Sequence, residues 1–373
     1  MNNAKPAIAE VCFSNSWGGL EHYCGDSIIR LNQRGYKVLA VVPPDSSLGN
    51  YLSKSGCETI PMRAYRYFSP LTTLKLAGLF KRNNVKALHL HRTHDLGVAL
   101  PAAIIAGVKS RVFTLQMESD RRKQDIYHRW IYGKLTKVLT ITERMRQLVI
   151  DNVAVDPAKV ECLYYGIDTE GIRAEIVSKS EIRRQWNIPE DAFVIGIVGR
   201  LERINKGQDS VIQAAELLTD KIPNLAVMIV GDESIGQSGE LRELQRMSDR
   251  LKGRVQIVFT GYQHPPGEIV PAFDVSVLAS LKESFGLVVI EAQALGVPVI
   301  GTNAGGVPEI ITDGVNGLLV PPRDANALAN AIERIYTDSE FRRSIANAGQ
   351  KNADTRFSLG THIKGLEAAL MSL

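Results

Sequence analysis

Short apolar runs rich in β-branched residues alternate with helix-length segments of mixed polarity along the first half of the chain. Runs that are apolar at successive positions are typical of parallel strands buried on both faces. The segments between them repeat their apolar positions at helical spacing, as in 20–34, which Gly35 ends. The pattern predicts strands at 8–13, 37–42, 85–91, 112–116, 138–141 and 160–164.

The same alternation begins again after a polar stretch at 166–190, which we interpret as a linker. The second series predicts strands at 193–198, 225–230, 255–260, 275–279 and 297–300, then two helices between about 325 and 353. Strands that alternate with helices form parallel sheets with right-handed crossovers. We therefore predict an α/β protein of two doubly wound Rossmann-like domains that face each other across a cleft. Their bounds are 1–166 and 167–354, with a C-terminal helix at 355–373 packing back on the first domain.

The bulk composition excludes several classes of protein. A chain of 373 residues exceeds the size at which a single core usually keeps growing, and 45% apolar with 23% charged residues is ordinary for a folded protein. No run of about 18 apolar residues is present, and the start lacks the layout of a secretory signal. No metal-ligand spacing relates the four cysteines, Cys12, Cys24, Cys57 and Cys162. We therefore expect a cytoplasmic protein.

The formal net charge of +4 conceals a difference between the two halves of the chain. Residues 1–170 hold 23 basic and 15 acidic residues, whereas the remainder holds 21 basic and 25 acidic ones. A separation of this kind bears on partners rather than on fold. It suggests that a partner of the first half, or the surface that presents this partner, is anionic. No recognised nucleic-acid-binding module accompanies the charge, so we do not expect nucleic acid as a partner.

Two cations follow the predicted strand at 193–198, Arg200 almost directly and Lys206 six positions later. Ligands of open parallel sheets bind beyond the carboxyl ends of the strands. A guanidinium grips phosphate oxygens as a fork and an ammonium acts as a point charge, so the pair suits a diphosphate. The alternative is a pair of solvated surface charges.

The segment 283–296 predicts a buried helix that begins near Ser284 and ends at Gly296, with an anion site at its N-terminus. On one helix, Glu283 and Glu291 would differ by about 12 Å of rise and roughly 80° of rotation. A carboxylate in an apolar helix needs hydrogen-bond donors. A nucleotide sugar offers ribose hydroxyls to Glu291 and sugar hydroxyls to Glu283. The alternative is a helix cap at Glu283 and a structural ion pair at Glu291.

Together with Gly199-Arg200-Leu201 and Lys206-Gly207, the two glutamates resemble the retaining glycosyltransferases of family four, which have the GT-B fold. The similarity spans almost the whole chain. It includes Tyr165-Gly166-Ile167-Asp168, Val230-Gly231-Asp232, Thr260-Gly261-Tyr262, Ala304-Gly305-Gly306-Val307-Pro308-Glu309 and Asn316-Gly317-Leu318-Leu319-Val320-Pro321. The resemblance implies transfer of a sugar from a nucleotide diphosphate donor to a saccharide or lipid-linked acceptor with retention of configuration. The expected setting is cell-envelope, exopolysaccharide or lipopolysaccharide synthesis.

Carried over to this chain, the resemblance implies that Arg200 and Lys206 bind the diphosphate and that Glu291 binds the ribose. It implies that Glu283 lies near the transferred sugar and that main chain near Tyr262 holds the base. The amides expected to assist Glu283 are those of Phe285, Gly286 and Leu287. The family needs no metal, and the nucleotide sugar is a substrate, so we expect no metal site and no cofactor.

The first predicted strand leads into a turn at Gly18 and Gly19 that does not match the dinucleotide fingerprint, which disfavours an NAD-dependent oxidoreductase. Paired glycines let backbone approach a ligand closely and tolerate a positive φ. In the family this loop faces the donor phosphates and the acceptor. The alternative is a simple tight turn.

His89 and His91 share one face of a predicted strand. They suggest a metal pair, but no third ligand is evident, and we favour His91 as a catalytic polar group near the sugar or acceptor. The alternative is a structural role. Gln116 stands where many family members carry a histidine, and because glutamine cannot titrate near neutral pH, an acid–base role there is in doubt.

Two basic, aromatic stretches at 63–68 and 121–137 suit the surface of an anionic bilayer. We expect them to hold the protein peripherally on the inner face of the membrane, beside a lipid-linked acceptor; the alternative is a solvated helix face. Two rival functions stay open. One is a nucleotide-sugar-binding subunit without turnover, and the other is a sugar-nucleotide epimerase or a phosphorylase of related fold.

Overall fold

The computed structural model of the protein describes residues 5–64, 69–118, 121–233 and 239–372. The chain folds into two compact units. Unit 1 comprises residues 1–164 and 362–373, and unit 2 comprises residues 165–361. The chain therefore crosses between the units after Tyr164 and again after Thr361, where the sequence predicts boundaries at 166 and 354.

Unit 1 is built on a parallel seven-stranded sheet. Its strands are β1 (Ala7–Val11), β2 (Lys37–Val42), β3 (Thr59–Pro61), β4 (Val85–Leu90), β5 (Ser110–Leu115), β6 (Lys137–Thr140) and β7 (Val160–Cys162). They lie in the order β3-β2-β1-β4-β5-β6-β7. All five residues of the central strand β1 are buried, as its apolar run predicts. The edge strand β3 was not predicted, because it has only three residues and none of them is buried.

Helices flank this sheet between successive strands. They are α1 (Gly19–Gln33), α2 (Ser47–Lys54), α3 (Pro70–Arg82), α4 (Thr93–Ala106), α5 (Ile126–Gly133) and α6 (Glu143–Asn152). The core between helices and sheet includes Leu88 of β4, Phe113 of β5 and Phe80 of α3, all of them buried.

Unit 2 contains a parallel six-stranded sheet. Its strands are β8 (Phe193–Val198), β9 (Leu225–Val230), β10 (Gln256–Gly261), β11 (Val275–Leu278), β12 (Val299–Thr302) and β13 (Leu318–Val320). They lie in the order β10-β9-β8-β11-β12-β13. The predicted bounds of β8 and β9 match those observed, and the short edge strand β13 was not predicted.

The helices after the first crossing complete the fold. They are α7 (Thr169–Ala174), α8 (Lys179–Gln185), α9 (Arg203–Lys206), α10 (Gln208–Leu218), α11 (Glu240–Ser248), α12 (Leu287–Ala294), α13 (Val307–Ile310), α14 (Ala325–Thr337), α15 (Ser339–Arg356) and α16 (Leu359–Met371). From His362 onward α16 belongs to unit 1, where Glu367 accepts hydrogen bonds from Arg34 and Lys5. Among the helices of the described ranges, none combines the length and apolarity needed to cross a membrane.

The strand order reverses at one place in each sheet, between β1 and β4 in unit 1 and between β8 and β11 in unit 2. At such a switch point the loops of neighbouring strands run in opposite directions, which opens a crevice at the carboxyl edge. The predicted strands, the two parallel sheets and the flanking helices confirm the α/β class with two doubly wound units.

A buried ion pair ties α8 to the sheet of unit 2. The Arg183 guanidinium is 2% exposed and donates to Asp274 Oδ2 at 2.7 Å. It also donates to the carbonyl oxygens of Ala272 and Ala192. Asp274 accepts in addition from the Val194 N–H at 2.8 Å. Arg183 is the buried member of the pair, whereas the Asp274 side chain is 17% exposed and also contacts Lys179 Nζ at 2.5 Å. Loss of Arg183 therefore removes the buried donor of the carboxylate but leaves it an exposed partner.

We expect Arg183→Met to lower the free energy of unfolding by about 1–3 kcal/mol, since it removes the buried donor to Asp274 Oδ2 and to the carbonyl oxygens of Ala272 and Ala192. The matched control is Lys179→Met, which removes a more exposed partner of the same carboxylate, 2.5 Å away, and should cost less than about 1 kcal/mol. Urea denaturation followed by circular dichroism measures both. Equal losses in the free energy of unfolding for the two variants would contradict the larger structural role given to Arg183.

Candidate functional site

The loops that follow β8 and β11 meet at the switch point of unit 2 through backbone contacts. Gly207, between α9 and α10, has a φ of +76°, and a Cβ there would lie 2.2 Å from the carbonyl oxygen of Ala279. The N–H of Leu281 donates to the carbonyl oxygen of Asn205 at 2.8 Å. Only glycine permits this approach. It brings the loop with the predicted cations against the loop with the predicted acid.

The contact places Lys206 and Glu283 together, with Lys206 Nζ donating to Glu283 Oε2 at 2.9 Å. Ser280 Oγ donates to the same oxygen at 3.2 Å. The two charged side chains are 28% and 19% exposed, so solvent and ligands can reach the pair. Arg200 follows β8 with a well-exposed side chain, and its guanidinium donates to Glu202 Oε1 at 3.2 Å. The site thus offers cations for an anion and carboxylates for hydroxyl groups.

The backbone of Glu283 is fixed from the next strand exit, that of β12. The Gly306 N–H donates to the Glu283 carbonyl oxygen at 2.9 Å. A Cβ on Gly305, whose φ is +60°, would lie 1.9 Å from that oxygen. Thr302 Oγ1 donates to the Ser280 carbonyl oxygen at 2.6 Å. The exits of β8 and β12, on either side of β11, therefore hold the Glu283 loop.

The helix after Glu283 begins later than the sequence predicts. Gly286 has a φ of +111°, and α12 starts only at Leu287. A residue in this conformation interrupts a right-handed helix, so Glu283 lies in a loop. The prediction that Glu283 and Glu291 occupy one helix, with the rise and rotation of ideal geometry, is wrong.

The turn before α12 is anchored by Phe285, which is buried in unit 2. Its ring packs edge-on against Tyr165 and Phe357, with centroids 5.3 and 5.9 Å apart. The amides of Gly286 and Leu287 lie at the start of α12, where the first N–H groups of a helix lack intrahelical partners. The three residues predicted to supply amides beside Glu283 thus form the turn itself.

Glu291 lies on α12 and is half-buried. Within residues 5–64, 69–118, 121–233 and 239–372, no hydrogen bond or ion pair to its carboxylate is found, so the structural ion pair is not observed there. Burial alone raises the pKa of Glu291 to about 7. A carboxyl group without donors in an apolar helix is poised to accept hydrogen bonds from a ligand.

Tyr262 follows β10 and exposes its side chain. Its backbone N–H donates to Asp232 Oδ2 at 3.0 Å, and Asp232 itself follows the neighbouring strand β9. The main chain at the end of β10 is therefore held in place by an acidic side chain.

Gly18 and Gly19 lie at the start of α1, beside the switch point of unit 1. Gly18 is extended, with a φ of −172°, and neither glycine adopts the positive φ that glycine tolerates. No atom of the described residues lies within 4 Å of a Cβ built on Gly19. Backbone strain therefore does not explain why glycines occupy these two positions. The absence of side chains leaves the backbone of the turn open to solvent.

His89 and His91 contact a third residue that the sequence did not reveal, Glu10 of β1. Glu10 Oε1 lies 3.0 Å from His89 Nδ1, and its Oε2 lies 2.7 Å from His91 Nε2. All three side chains are buried, and His91 is only 2% exposed. The expectation that no third potential metal ligand is near the pair is therefore wrong. Glu10 was missed because the apolar run around it predicts only a core strand.

In this buried cluster, the ligand atoms are engaged with one another. Burial would raise the pKa of Glu10, but the two imidazoles beside it lower that pKa to about 2, so the carboxylate is ionised. Burial lowers the pKa of His91, which is therefore neutral at physiological pH. Its Nδ1 faces Gln116 Nε2 at 3.4 Å, and His89 Nε2 lies 2.7 Å from Thr114 Oγ1.

The second basic, aromatic stretch forms an exposed surface around α5. Residues 65–68 of the first stretch lie outside the described residues. We name as the α5 surface the exposed apolar side chains Met117, Ile126, Tyr127 and Trp130 with the exposed basic side chains Arg121, Arg122, Arg129 and Lys134. Ile126 at its tip is 87% exposed. Ile131 and Tyr132 on the opposite face of α5 are buried in unit 1.

The fold agrees with that of known proteins. Among solved structures, a glycosyltransferase from Rickettsia africae matches with a TM-score of 0.85 at 21% identity, with 98% of each chain covered. HepE from Anabaena, in complex with UDP and glucose, matches with a TM-score of 0.80 at 24% identity over 99% of this chain and all of that one. These likenesses show the fold.

Curated relatives share more sequence over shorter spans. The putative glycosyltransferase EpsD of Bacillus subtilis is 32% identical over 52% of this chain and 49% of its own length. The D-inositol 3-phosphate glycosyltransferase of Thermobifida fusca is 32% identical over 62% of this chain and 54% of its own length. The chain thus spans about half the length of these curated relatives.

Two family models match adjoining parts of the chain. The model of glycosyltransferase family 4 matches residues 17–171, and that of glycosyl transferases group 1 matches residues 178–352. The first match lies mainly in unit 1 and the second in unit 2. The chain belongs to the group 1, family 4 glycosyltransferases of the GT-B fold.

Proposed function

We propose that the protein transfers a sugar from a nucleoside diphosphate sugar to a hydroxyl group of a saccharide or lipid-linked acceptor. The observation that carries this proposal is the pairing of Lys206 with Glu283 at the switch point of unit 2, followed on α12 by Glu291, whose carboxylate has no partner among the described residues. A nucleotide sugar has the complementary groups, phosphates for the cations and hydroxyls for the carboxylates. HepE in complex with UDP and with UDP-glucose supports a uridine diphosphate sugar as the first donor to test.

In this proposal the diphosphate binds Arg200 and Lys206, and the ribose hydroxyls donate to Glu291. The sugar hydroxyls donate to Glu283, with the amides at the start of α12 beside it. The base contacts the main chain of Tyr262, whose N–H already donates to Asp232. Arrival of the diphosphate gives Lys206 a second anionic partner, which frees Glu283 for the sugar.

The bond between the sugar C1 and the β-phosphate oxygen breaks, and a bond from C1 to the acceptor oxygen forms. The acceptor proton passes to the departing phosphate, and configuration at C1 is retained without a protein nucleophile or a metal. Arg200, Lys206 and the helix amides act because negative charge grows on the leaving phosphate in the transition state. His91 is buried against Glu10, so we propose that it positions the end of β4.

The setting we propose is the synthesis of cell-envelope polysaccharide, exopolysaccharide or lipopolysaccharide. A lipopolysaccharide outer core galactosyltransferase, WaaB, shares the fold with a TM-score of 0.71 at 16% identity, which supports testing this setting. The α5 surface supports an acceptor at an anionic bilayer, because basic side chains surround exposed apolar ones.

We expect Arg200→Ala and Lys206→Ala each to lower kcat/KM for sugar transfer by roughly 10²–10³, since each removes a cation that stabilises the leaving phosphate. A panel of nucleotide sugars that begins with UDP-glucose supplies the donor, and release of nucleoside diphosphate is measured. The matched control is Lys221→Ala, which breaks a Lys–Glu pair of 2.6 Å at the opposite end of α10 and should leave the rate unchanged.

Full activity of both alanine variants would refute the diphosphate assignment. The rival functions have different signatures in the same assay. An epimerase needs no acceptor, a phosphorylase needs free phosphate, and a binding subunit binds the donor without releasing nucleoside diphosphate.

We expect Glu291→Gln to weaken UDP binding roughly 10- to 100-fold at pH 8, because an amide replaces a charged acceptor of the ribose hydroxyls. Binding by the unaltered protein should weaken as the pH falls below about 7, where the carboxyl group takes up a proton. Binding by the variant should change only as far as the terminal phosphate of UDP titrates, so the difference between the two proteins reports the Glu291 carboxyl group. Isothermal titration calorimetry with UDP between pH 5.5 and 8.5 measures both.

The same substitution should stabilise the empty protein. The folded pKa of Glu291 is raised, so the neutral form favours folding below the ordinary pKa, and this contribution is lost as the pH rises through about 7. We expect Glu291→Gln to raise the free energy of unfolding by roughly 1–3 kcal/mol at pH 8 and far less at pH 5. Glu216→Gln, on the exposed side of α10, is the control that should change neither value.

We expect the double variant Arg121→Glu, Arg122→Glu and the double variant Ile126→Ser, Trp130→Ser each to abolish sedimentation with vesicles of phosphatidylglycerol and phosphatidylethanolamine. The first reverses the charge that attracts the anionic surface, and the second removes the apolar side chains that insert. The matched control is Leu71→Ser, Leu74→Ser, an equally exposed apolar pair on α3. Loss of vesicle binding only in the control variant would indicate that α3, and not the α5 surface, contacts the membrane.

A further inference from the structure

Trp17 lies in the loop between β1 and α1, and 42% of its surface is exposed. Its indole packs against the ring of His22 with centroids 4.1 Å apart, and against Tyr51 with centroids 5.3 Å apart. His22 and Tyr51 also contact each other edge-on at 5.9 Å. We call these three rings the aromatic platform. The indole is its most exposed member.

The platform has a rigid base. A Cβ on Gly25, in the middle of α1, would lie 2.8 Å from two atoms of the Tyr51 ring, so only glycine lets that ring lie on the helix. Glycine inside a helix is unfavourable relative to alanine, which makes its presence here informative. Tyr51 Oη donates to Asp26 Oδ1 at 2.7 Å and fixes the orientation of the ring. The indole therefore packs against fixed rings on one side and is exposed to solvent on the other.

The location of the platform favours a ligand. The loop leaves β1 at the carboxyl edge of the sheet, beside the switch point with β4. Asn15 and Ser16 are exposed next to Trp17, and the first amides of α1 follow at Gly19. A large exposed ring beside amide and hydroxyl groups can bind a molecule that is apolar on one face and polar at its edge.

A pyranose ring with equatorial substituents is such a molecule. Its axial C–H bonds form an electropositive face that complements the negative face of an indole, and its hydroxyl groups project from the edge. A bilayer needs a broader apolar surface, and a diphosphate needs cations. Trp17 and its neighbours Asn15 and Ser16 provide neither.

We propose that Trp17 is the stacking surface for a pyranose ring of the acceptor. This inference rests on the proposed glycosyltransferase function, and it narrows the acceptor to one that presents a sugar ring, free or lipid-linked. Trp17 is then a residue that determines acceptor specificity. The donor contacts named in the proposed function lie in unit 2, and the Trp17 ring is not among them.

The first experiment uses a variant in which Trp17 is the only tryptophan, since the chain has three and the others can be replaced as Trp130→Phe and Trp186→Phe. Methyl β-D-glucopyranoside, whose axial positions all carry hydrogen, should change the indole fluorescence in a saturable manner. The disaccharide cellobiose should do so at lower concentration. Failure of both probes to change the fluorescence would overturn the proposal.

The second experiment compares Trp17→Leu with Trp17→Phe in the otherwise unaltered protein. By calorimetry with cellobiose, we expect the leucine variant to bind roughly tenfold more weakly and the phenylalanine variant only two- to threefold, because phenylalanine keeps a π face. Gly25→Ala, which displaces Tyr51 without touching Trp17, should weaken binding as well. Trp186→Phe, in unit 2, is the matched control and should bind as the unaltered protein does.

Binding of cellobiose by Trp17→Leu within twofold of the unaltered protein would overturn the proposal. A loss of UDP affinity in Trp17→Leu would also overturn it, since the ring would then stack on the base. These results are separate from the proposed function. If the unaltered protein turned over no nucleotide sugar, sugar transfer would fail while saccharide binding at Trp17 would still be measured.

Discussion

Two close backbone approaches, each possible only because a glycine has no Cβ, fix the geometry on which the candidate site depends. Gly207 brings the exit of β8 against Ala279, and Gly305 brings the exit of β12 against the carbonyl oxygen of Glu283. The acid is thereby fixed in a loop from two sides, within reach of Lys206. Any larger residue at either glycine would separate the loops, and the cation would lose its contact with the acid.

The two carboxylates of this site differ in whether the fold provides them with hydrogen-bond donors. Glu283 has an internal cation and a hydroxyl donor, so its charge is compensated in the empty protein. Glu291 has neither among the described residues, and its charge is disfavoured by burial. Such an uncompensated group lowers stability unless a ligand completes it. The free energy that the empty protein loses at Glu291 is therefore recovered, in the proposed function, when ribose hydroxyls arrive.

The parts of the fold that the sequence predicts are those governed by local pattern. β8 and β9 could be predicted to the residue because strands buried on both faces are apolar at successive positions. The three-residue edge strands β3 and β13 were not predicted, whereas β7, which is as short and also lies at a sheet edge, was predicted at 160–164. The start of α12 was misplaced because sequence spacing does not show that Gly286 adopts a positive φ. The partners of Glu283 and His91 were hidden for another reason, since Lys206 and Glu10 are 77 and 81 residues away along the chain.

The difference in net charge between the two halves of the sequence can be related to the side chains that each unit offers to ligands. Unit 2, which contains most of the acidic excess, holds Lys206 beside Glu283, so in the proposed function an incoming diphosphate replaces Glu283 as the partner of Lys206. Exchange of one anionic partner for another avoids the cost of uncovering a charge. Unit 1 instead offers aromatic rings at Trp17 and exposed basic side chains on the α5 surface. In the proposed function, a lipid-linked saccharide contacts these two surfaces of unit 1, whereas the nucleotide sugar binds the cations and carboxylates of unit 2. The separation of charge in the sequence would then follow from the proposed division of labour, because unit 2 would bind a compact anion by exchange and unit 1 would bind an extended acceptor by surface contact.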